Sequence, residues 1–319
     1  MINCLTDVKG IQVGHAQDYE AGTGCTVILC KNGAVAGVDV RGGAPGTRET
    51  DLMAPGNLIQ KVHAIYLSGG SAFGLDGASG VMDYLEENAV GFDVGVTKVP
   101  IVPAAVIFDL NVGNYRRRPD FKMGYEACLN ATEKENAVGN VGAGTGATVG
   151  KYFGDEFSMK GGLGTASIKT GELVVAALVV VNCLGDVIDP KTGDIIAGAL
   201  NETKTDFANT IEIIKKGTII NKSFGGNTTI GIVATNGYLS KSGAGRVASM
   251  AHNGFARTIR PVHTMFDGDT IFCLSLGSVE TDVSTIGALA AEVMAKAIVC
   301  AIKSAEPLYG RKSYKSFVI

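Results

Sequence analysis

The sequence predicts a mixed α/β chain folded as one domain, and three observations predict it. Short apolar runs bounded by glycine alternate with longer stretches in which apolar residues recur at three-to-four spacing. No composition break divides the 319 residues, and α/β chains of this length are often one unit around a large core. Glycine is abundant, 44 residues against 8 prolines, yet it follows no period, which points to tight turns and close backbone approaches and not to collagen-like or disordered chain.

In chain order, the apolar runs Cys25–Leu29, Ala34–Val40 and Ala64–Leu67 read as strands. Helical spacing follows over Ala72–Asn88 and again over Tyr125–Asn136. Leu173–Val181 is a long, buried-looking strand closed by Asn182. Between Leu200 and Gly226 the composition turns to Asn, Thr, Lys and Glu, as in an exposed connector that tolerates being cut. Thr229–Thr235 and Thr270–Leu276 read as strands, and Ala244–Thr258 and Val283–Ser304 as helices, the last rich in Ala, Leu, Ile, Val and Met at helical spacing.

A net charge of −3 gives no basic footprint, so no nucleic-acid partner is expected. The first residues lack the basic-then-apolar run of a secretory signal, and Leu173–Leu184 is too short for a membrane span, so a cytoplasmic protein without a membrane partner is expected. Seven cysteines without a CxxC pair fit reduced, buried thiols. Four histidines, none in an HExxH frame or an i,i+4 pair, argue against a zinc site, and no metal or cofactor is expected.

Several motifs invite chemistry. Ala143–Lys151 is glycine-rich, but a phosphate loop requires glycine where Thr145 stands and a hydroxyl where Tyr152 stands. Gly69-Gly70-Ser71-Ala72-Phe73 follows a strand and opens a helix, yet Phe73 occupies the last glycine position of a nucleophile elbow, which leaves Ser71 as a helix cap or a pocket donor. His263 could be a base or a structural residue. Asp267 and Asp269 flank Gly268 just before a strand; they form either a plain turn or a carboxylate pair able to orient a hydroxyl or share a proton. The Asn182 amide either caps its strand end or donates to a developing oxyanion. In Gly225-Gly226-Asn227-Thr228-Thr229-Ile230, a polar, glycine-bearing run meets a β-branched strand at a hydroxyl residue. An ordinary strand start accounts for this, and so does a self-cleavage site. Cutting Asn227–Thr228 would give Thr228 a free α-amine beside its own hydroxyl, a standard route to an activated nucleophile.

Long blocks shared in one order make the whole chain resemble the P1 family of peptidases: the L-aminopeptidase/D-esterases, β-peptidyl aminopeptidases and nylon-oligomer hydrolases. The blocks are Thr6–His15, Val38–Thr50, Leu67–Asp76, Val99–Asp109, Gly142–Ala147 and Asn227–Ile230. The resemblance implies a four-layer αββα sandwich like that of the N-terminal-nucleophile hydrolases, with self-cleavage into an α chain 1–227 and a β chain 228–319. It places Thr228 as nucleophile, Asn227 before the cut and Asn182 at the oxyanion. Asp267 and Asp269 take the aligning acid positions, as in the nylon-oligomer branch, and Lys151 matches that branch's lysine near the nucleophile. Phe108 stands where some relatives carry a catalytic tyrosine, and Ser71 and Phe108 fall on the substrate side. The implied activity is hydrolysis of N-terminal aminoacyl peptides, amides or esters, and the implied assembly is a homotetramer. Two alternatives remain open: an acyltransferase similar to ornithine acetyltransferase, and an uncleaved, non-catalytic binding protein.

Overall fold

The computed structural model describes residues 3–217 and 226–317, with Ser278 by its backbone alone. Residues 218–225, the end of the expected connector including Gly225, lie outside the described residues.

Nine strands form one hydrogen-bonded sheet. They are β1 (Gln12–Asp18), β2 (Thr23–Val40), β3 (Thr47–Arg48), β4 (Val62–Ser68), β5 (Ala104–Val106), β6 (Gly162–Thr170), β7 (Leu173–Asn182), β8 (Thr228–Gly237) and β9 (Thr270–Val279). The order is β6-β7-β8-β9-β2-β4-β5-β3, with β1 also on β2. The helices are α1 (Gly77–Glu87), α2 (Phe121–Leu129), α3 (Thr210–Lys215), α4 (Lys241–Thr258) and α5 (Val283–Ser304). The two runs read as separate strands before and after Lys31 are one, β2. Its first part pairs with β1 and β4, and its last part with β9, so it links two sheet layers.

Strand alternation then makes four layers. On β7, Val174, Ala176, Leu178 and Val180 join Ile28, Ile65, Ile230, Ile232, Phe272 and Leu274 in a core between the sheet halves. Their neighbours Val175, Ala177, Val179 and Val181 face α4 and α5, against Val247, Phe255, Val293 and Met294. On the opposite outer face, Val27, Leu29, Ala64 and Tyr66 pack on Val81 and Leu85 of α1 and on Met123 of α2. The result is the αββα sandwich the family resemblance implies. Two glycines set how closely helices approach: a Cβ at Gly37 would lie 2.1 Å from the Gly245 nitrogen of α4, and one at Gly164 would lie 2.1 Å from the Ala297 oxygen of α5. Helix α5, long and apolar enough by length and composition to cross a bilayer, has its apolar face in this layer.

Three helices depart from their expected bounds, α4 by starting earlier, at Lys241, where Ser240 caps it by accepting the Gly243 N–H. The chain leaves Gly69-Gly70 with Gly70 at φ 81° and Ser71 at φ 54°, so a 3-10 turn, Ser71–Asp76, precedes α1. Ser71 makes no capping bond there. The second helix starts and stops earlier than expected. Asp120 caps it by accepting the Met123 N–H, and Thr132 is drawn into a bridge with Val13.

The central layer carries the fold, so Leu178→Ala should cost about 2–5 kcal/mol in urea unfolding. The exposed Leu58→Ala should stay within about 0.5 kcal/mol of wild type. Equal effects from the two would contradict this layering.

Candidate active site

Three segments converge where β7 ends and β8 and β9 begin. Asn182 and Thr228 are direct antiparallel partners, the last pair of the β7–β8 ladder. Asn227 bridges to Asp267, and β9 runs parallel to β8 from Ile230↔Thr270 onward. The alternation that fills the core thus sets Asn182, Thr228 and the Asp267–Asp269 loop side by side in a buried position.

Thr228 is 5% exposed, and its Oγ1 donates to the carbonyl oxygen of Asn227. The same oxygen accepts the Gly268 N–H at 2.9 Å. A Cβ at Gly268 would lie 2.8 Å from Thr228 Oγ1, so a side chain there would crowd the hydroxyl. The Asn227–Thr228 peptide therefore has a hydroxyl on its carbonyl oxygen and a backbone donor polarising it.

Lys151 follows the short strand Thr148–Val149 and turns inward. Its Nζ donates to Asn182 Oδ1 at 3.0 Å, to the Asn182 carbonyl at 3.1 Å and to the Gly226 carbonyl at 3.3 Å. Burial lowers its pKa to about 8, because the charged form loses hydration. Asn182 Oδ1 also accepts the Thr148 N–H at 2.9 Å, and its Nδ2 donates to the Phe108 carbonyl at 3.0 Å. The Phe108 ring packs on Gly226, where a Cβ would come within 2.3 Å of Phe108 Cγ. Ser71 is half-buried in the neighbouring wall, its N–H on the Ile107 carbonyl at 2.9 Å; among the described residues it has no hydrogen bond to Thr228.

The two aspartates lie in the same loop, each held differently. Asp267 Oδ2 accepts from the Thr264 N–H at 2.9 Å and the Thr264 hydroxyl at 2.6 Å. Burial, and then the Asp269 carboxylate, raise its pKa to about 6. Asp269 Oδ1 accepts the Thr229 N–H at 2.7 Å, while Oδ2 accepts the His263 N–H at 3.1 Å and pairs with His263 Nδ1 at 2.8 Å. Among the described residues neither carboxylate hydrogen-bonds the Thr228 hydroxyl; they tie the two residues flanking Gly268 to the backbone of His263, Thr264 and Thr229.

Sequence reasoning missed Lys160 altogether. Its fully buried Nζ donates to the carbonyls of Ala147 at 2.5 Å, Thr145 at 3.1 Å and Gly144 at 3.4 Å, and burial lowers its pKa to about 7. It sits opposite Thr148, so it braces the loop that delivers the Thr148 N–H to Asn182. A lone lysine reads as surface; only its place inside Ser158-Met159-Lys160-Gly161-Gly162-Leu163, a stretch with no other charge, hinted otherwise. Gly268 as a donor left no trace, since its role belongs to a backbone N–H. Among the described residues no group of three or more His, Cys, Asp or Glu could hold a metal, and all seven cysteines are free thiols.

The four-layer sandwich has the fold of N-terminal-nucleophile-type hydrolases. A solved structure of the L-aminopeptidase D-Ala-esterase/amidase from Ochrobactrum anthropi, described as a variant of that fold, superposes with a TM-score of 0.73. It covers 96% of this chain and 87% of that one, at 18% identity, a likeness in fold alone. The sequence profile of peptidase family S58 matches residues 3–316, and the chain belongs to that family. An uncharacterised aminopeptidase from Mycobacterium tuberculosis is 42% identical over 346 aligned positions, covering 98% of this chain and 97% of that protein. The 6-aminohexanoate-oligomer endohydrolase of a Kocuria strain is 31% identical over 321, covering 93% and 85%. The protein is thus a hydrolase of a peptidase family.

The raised Asp267 pKa has a sign. Folding favours its protonated form, so that contribution is complete below the ordinary value of 3.8 and is lost as pH rises through about 6. Asp267→Asn should therefore melt higher relative to wild type at pH 7.5 than at pH 4. A melting difference independent of pH would show that Asp267 does not carry this proton.

Proposed function

We propose that the protein is a self-processing aminopeptidase or amidohydrolase that cleaves the amide or ester bond of N-terminal aminoacyl substrates through Thr228. The observation that carries this reading is the Thr228 hydroxyl on the Asn227 carbonyl oxygen, with the Gly268 N–H on the same atom. Those are the parts an intramolecular acyl shift needs. Attack of Oγ1 on the Asn227 carbonyl carbon forms the ester as the C–N bond breaks, and the hydroxyl proton goes to the departing nitrogen. Water then hydrolyses the ester, leaving the Asn227 carboxylate and a free Thr228 amine.

That amine is the base for turnover. It takes the Oγ1 proton as Oγ1 attacks a substrate carbonyl, the leaving amine or alcohol departs protonated, and water releases the acyl group. An α-amine ordinarily titrates near 7.7–8.0, and the Lys151 ammonium beside Gly226 favours its neutral, basic form. The Asn182 amide and a backbone N–H hold the oxyanion in this scheme, and Lys151 and Thr148 orient that amide. Phe108 and Ser71 line the substrate side, where Phe108 supplies surface but no hydroxyl. The names of the Mycobacterium and Kocuria relatives support an aminopeptidase or amide hydrolase.

Denaturing mass spectrometry should show two fragments meeting at Asn227–Thr228; an uncut chain, or a cut elsewhere, would refute the assignment. Thr228→Ala should stay full length and inactive, and Thr228→Ser should keep part of both functions. Asn182→Ala should slow turnover of an aminoacyl p-nitroanilide by about 10²–10³-fold, the loss typical of one oxyanion donor. Asp267→Asn or Asp269→Asn should slow maturation or turnover by about 10²-fold, the cost of a misaligned reacting group. Full activity in all three would return these groups to structural duty.

We further propose that the chains assemble as a closed homotetramer. Light scattering should give about four times the 32.9 kDa chain mass, and the monomer mass at micromolar concentration would exclude it.

A further inference from the structure

We propose that His263 is a positioning residue of this site: it donates to Asp269 and so places both the Thr228 strand start and the Gly268 N–H. This role rests on the reading of Thr228 as nucleophile. Asp269 is a two-sided clamp, with Oδ1 on the Thr229 N–H at 2.7 Å and Oδ2 on the backbone and ring nitrogens of His263. A carboxylate only accepts, so the proton on this contact belongs to His263 Nδ1. The other end of the loop is clamped in parallel by Thr264 on Asp267. Between the clamps lies Gly268, whose N–H meets the scissile carbonyl. Slackening the His263 end moves that donor and the residue after the nucleophile together.

Two independent features set His263 apart from a packing residue. Its backbone sits at φ 57°, a region in which a non-glycine residue is strained. Its buried Nε2 has no hydrogen-bond partner among the described residues, a penalty that an apolar side chain would avoid. The groups facing it are Asp269 from its own loop and His252 from α4, whose ring centroid is 4.8 Å away. Behind His252 stand Asp39, whose carbonyl contacts His252 Nε2 at 3.0 Å, and Arg41 of the chain just after β2. Burial lowers the His252 pKa to about 4, so at neutral pH it adds no charge to the cluster. The Phe255 ring lies along the imidazole.

His263→Gly and His263→Asn separate the donor from the backbone. Both tolerate the left-handed φ, but only Asn keeps a donor near the position of Nδ1. In His263→Gly, self-cleavage should slow and kcat should fall about tenfold or more with KM within about twofold, because the loss is in alignment and not in binding. His263→Asn should recover most of the lost kcat. Wild-type kcat and self-cleavage in His263→Gly would overturn the proposal, as would equal impairment of both variants at wild-type melting temperature. Should His263→Gly fail to fold, nitrogen-15 histidine NMR on the full-length wild type reads the same contact. A ring protonated only at Nε2 overturns the proposal, and an Nδ1–H signal that shifts in Asp269→Asn supports it. A wild type neither cleaved nor active overturns the Thr228 reading along with this one, whereas an active wild type with unaffected variants overturns this one alone.

Discussion

The register that sets Asn182 opposite Thr228 across β7 and β8 is the constraint on which the site depends. Both residues close a ladder whose other members are buried on both faces, so their polar groups must find partners inside the protein. Lys151 answers one side of that demand: among the described residues no carboxylate lies within salt-bridge distance, and its ammonium donates to amide and carbonyl oxygens. An ammonium held this way loses hydration without gaining an ion pair, which depresses its pKa and keeps positive charge next to the junction. The acid loop answers the other side. Two buried carboxylates close together cannot both ionise cheaply, and the proton settles on Asp267 as pH falls toward 6.

This arrangement explains how a chain cut at Asn227–Thr228 would hold together. Strand β8 follows the junction, yet it lies between β7, from before the junction, and β9, from after it. The central core mixes Leu178 and Val180 with Ile230, Ile232 and Phe272, and the outer core mixes Val179 and Val181 with α4 and α5. Separating the fragments would expose both layers to water, at about 25 cal/mol for each Å² of apolar surface. Such a cut would remove one covalent bond from a structure whose cohesion is burial.

What the sequence revealed follows periodicity. Helix α5 has the bounds its spacing predicts, and β7 and β8 match to within a residue or two, because long uniform patterns leave one geometry that buries them. The start of α1 was obscured by Gly69-Gly70, whose backbone freedom permits the turn at Ser71 but does not announce it. Thr228, Asn182, Asp267, Asp269 and Lys151 could be named from sequence, and the structure brings them together. The network linking them could not: the Lys160 cage, the Gly268 N–H and the His263 contact are made by backbone groups, or by side chains whose partners become neighbours only when distant strands pair.

The way the acids are engaged decides which group can serve as base. A side chain that takes the Thr228 proton during turnover must reach Oγ1, and among the described residues neither Asp267, Asp269 nor Lys151 hydrogen-bonds it. The hydroxyl is committed to the Asn227 carbonyl, and the Thr228 nitrogen, tied up in an amide, has no basicity. On the proposed reading the uncut chain can therefore attack its own junction, where proximity substitutes for a base, but it lacks the group that activates Thr228 toward a second substrate. Cleavage supplies that group at the one atom always within reach of Oγ1, its own α-nitrogen, and at the same time removes the carbonyl that occupied the hydroxyl. Maturation and activation are then one event, and the buried network is what makes the event local.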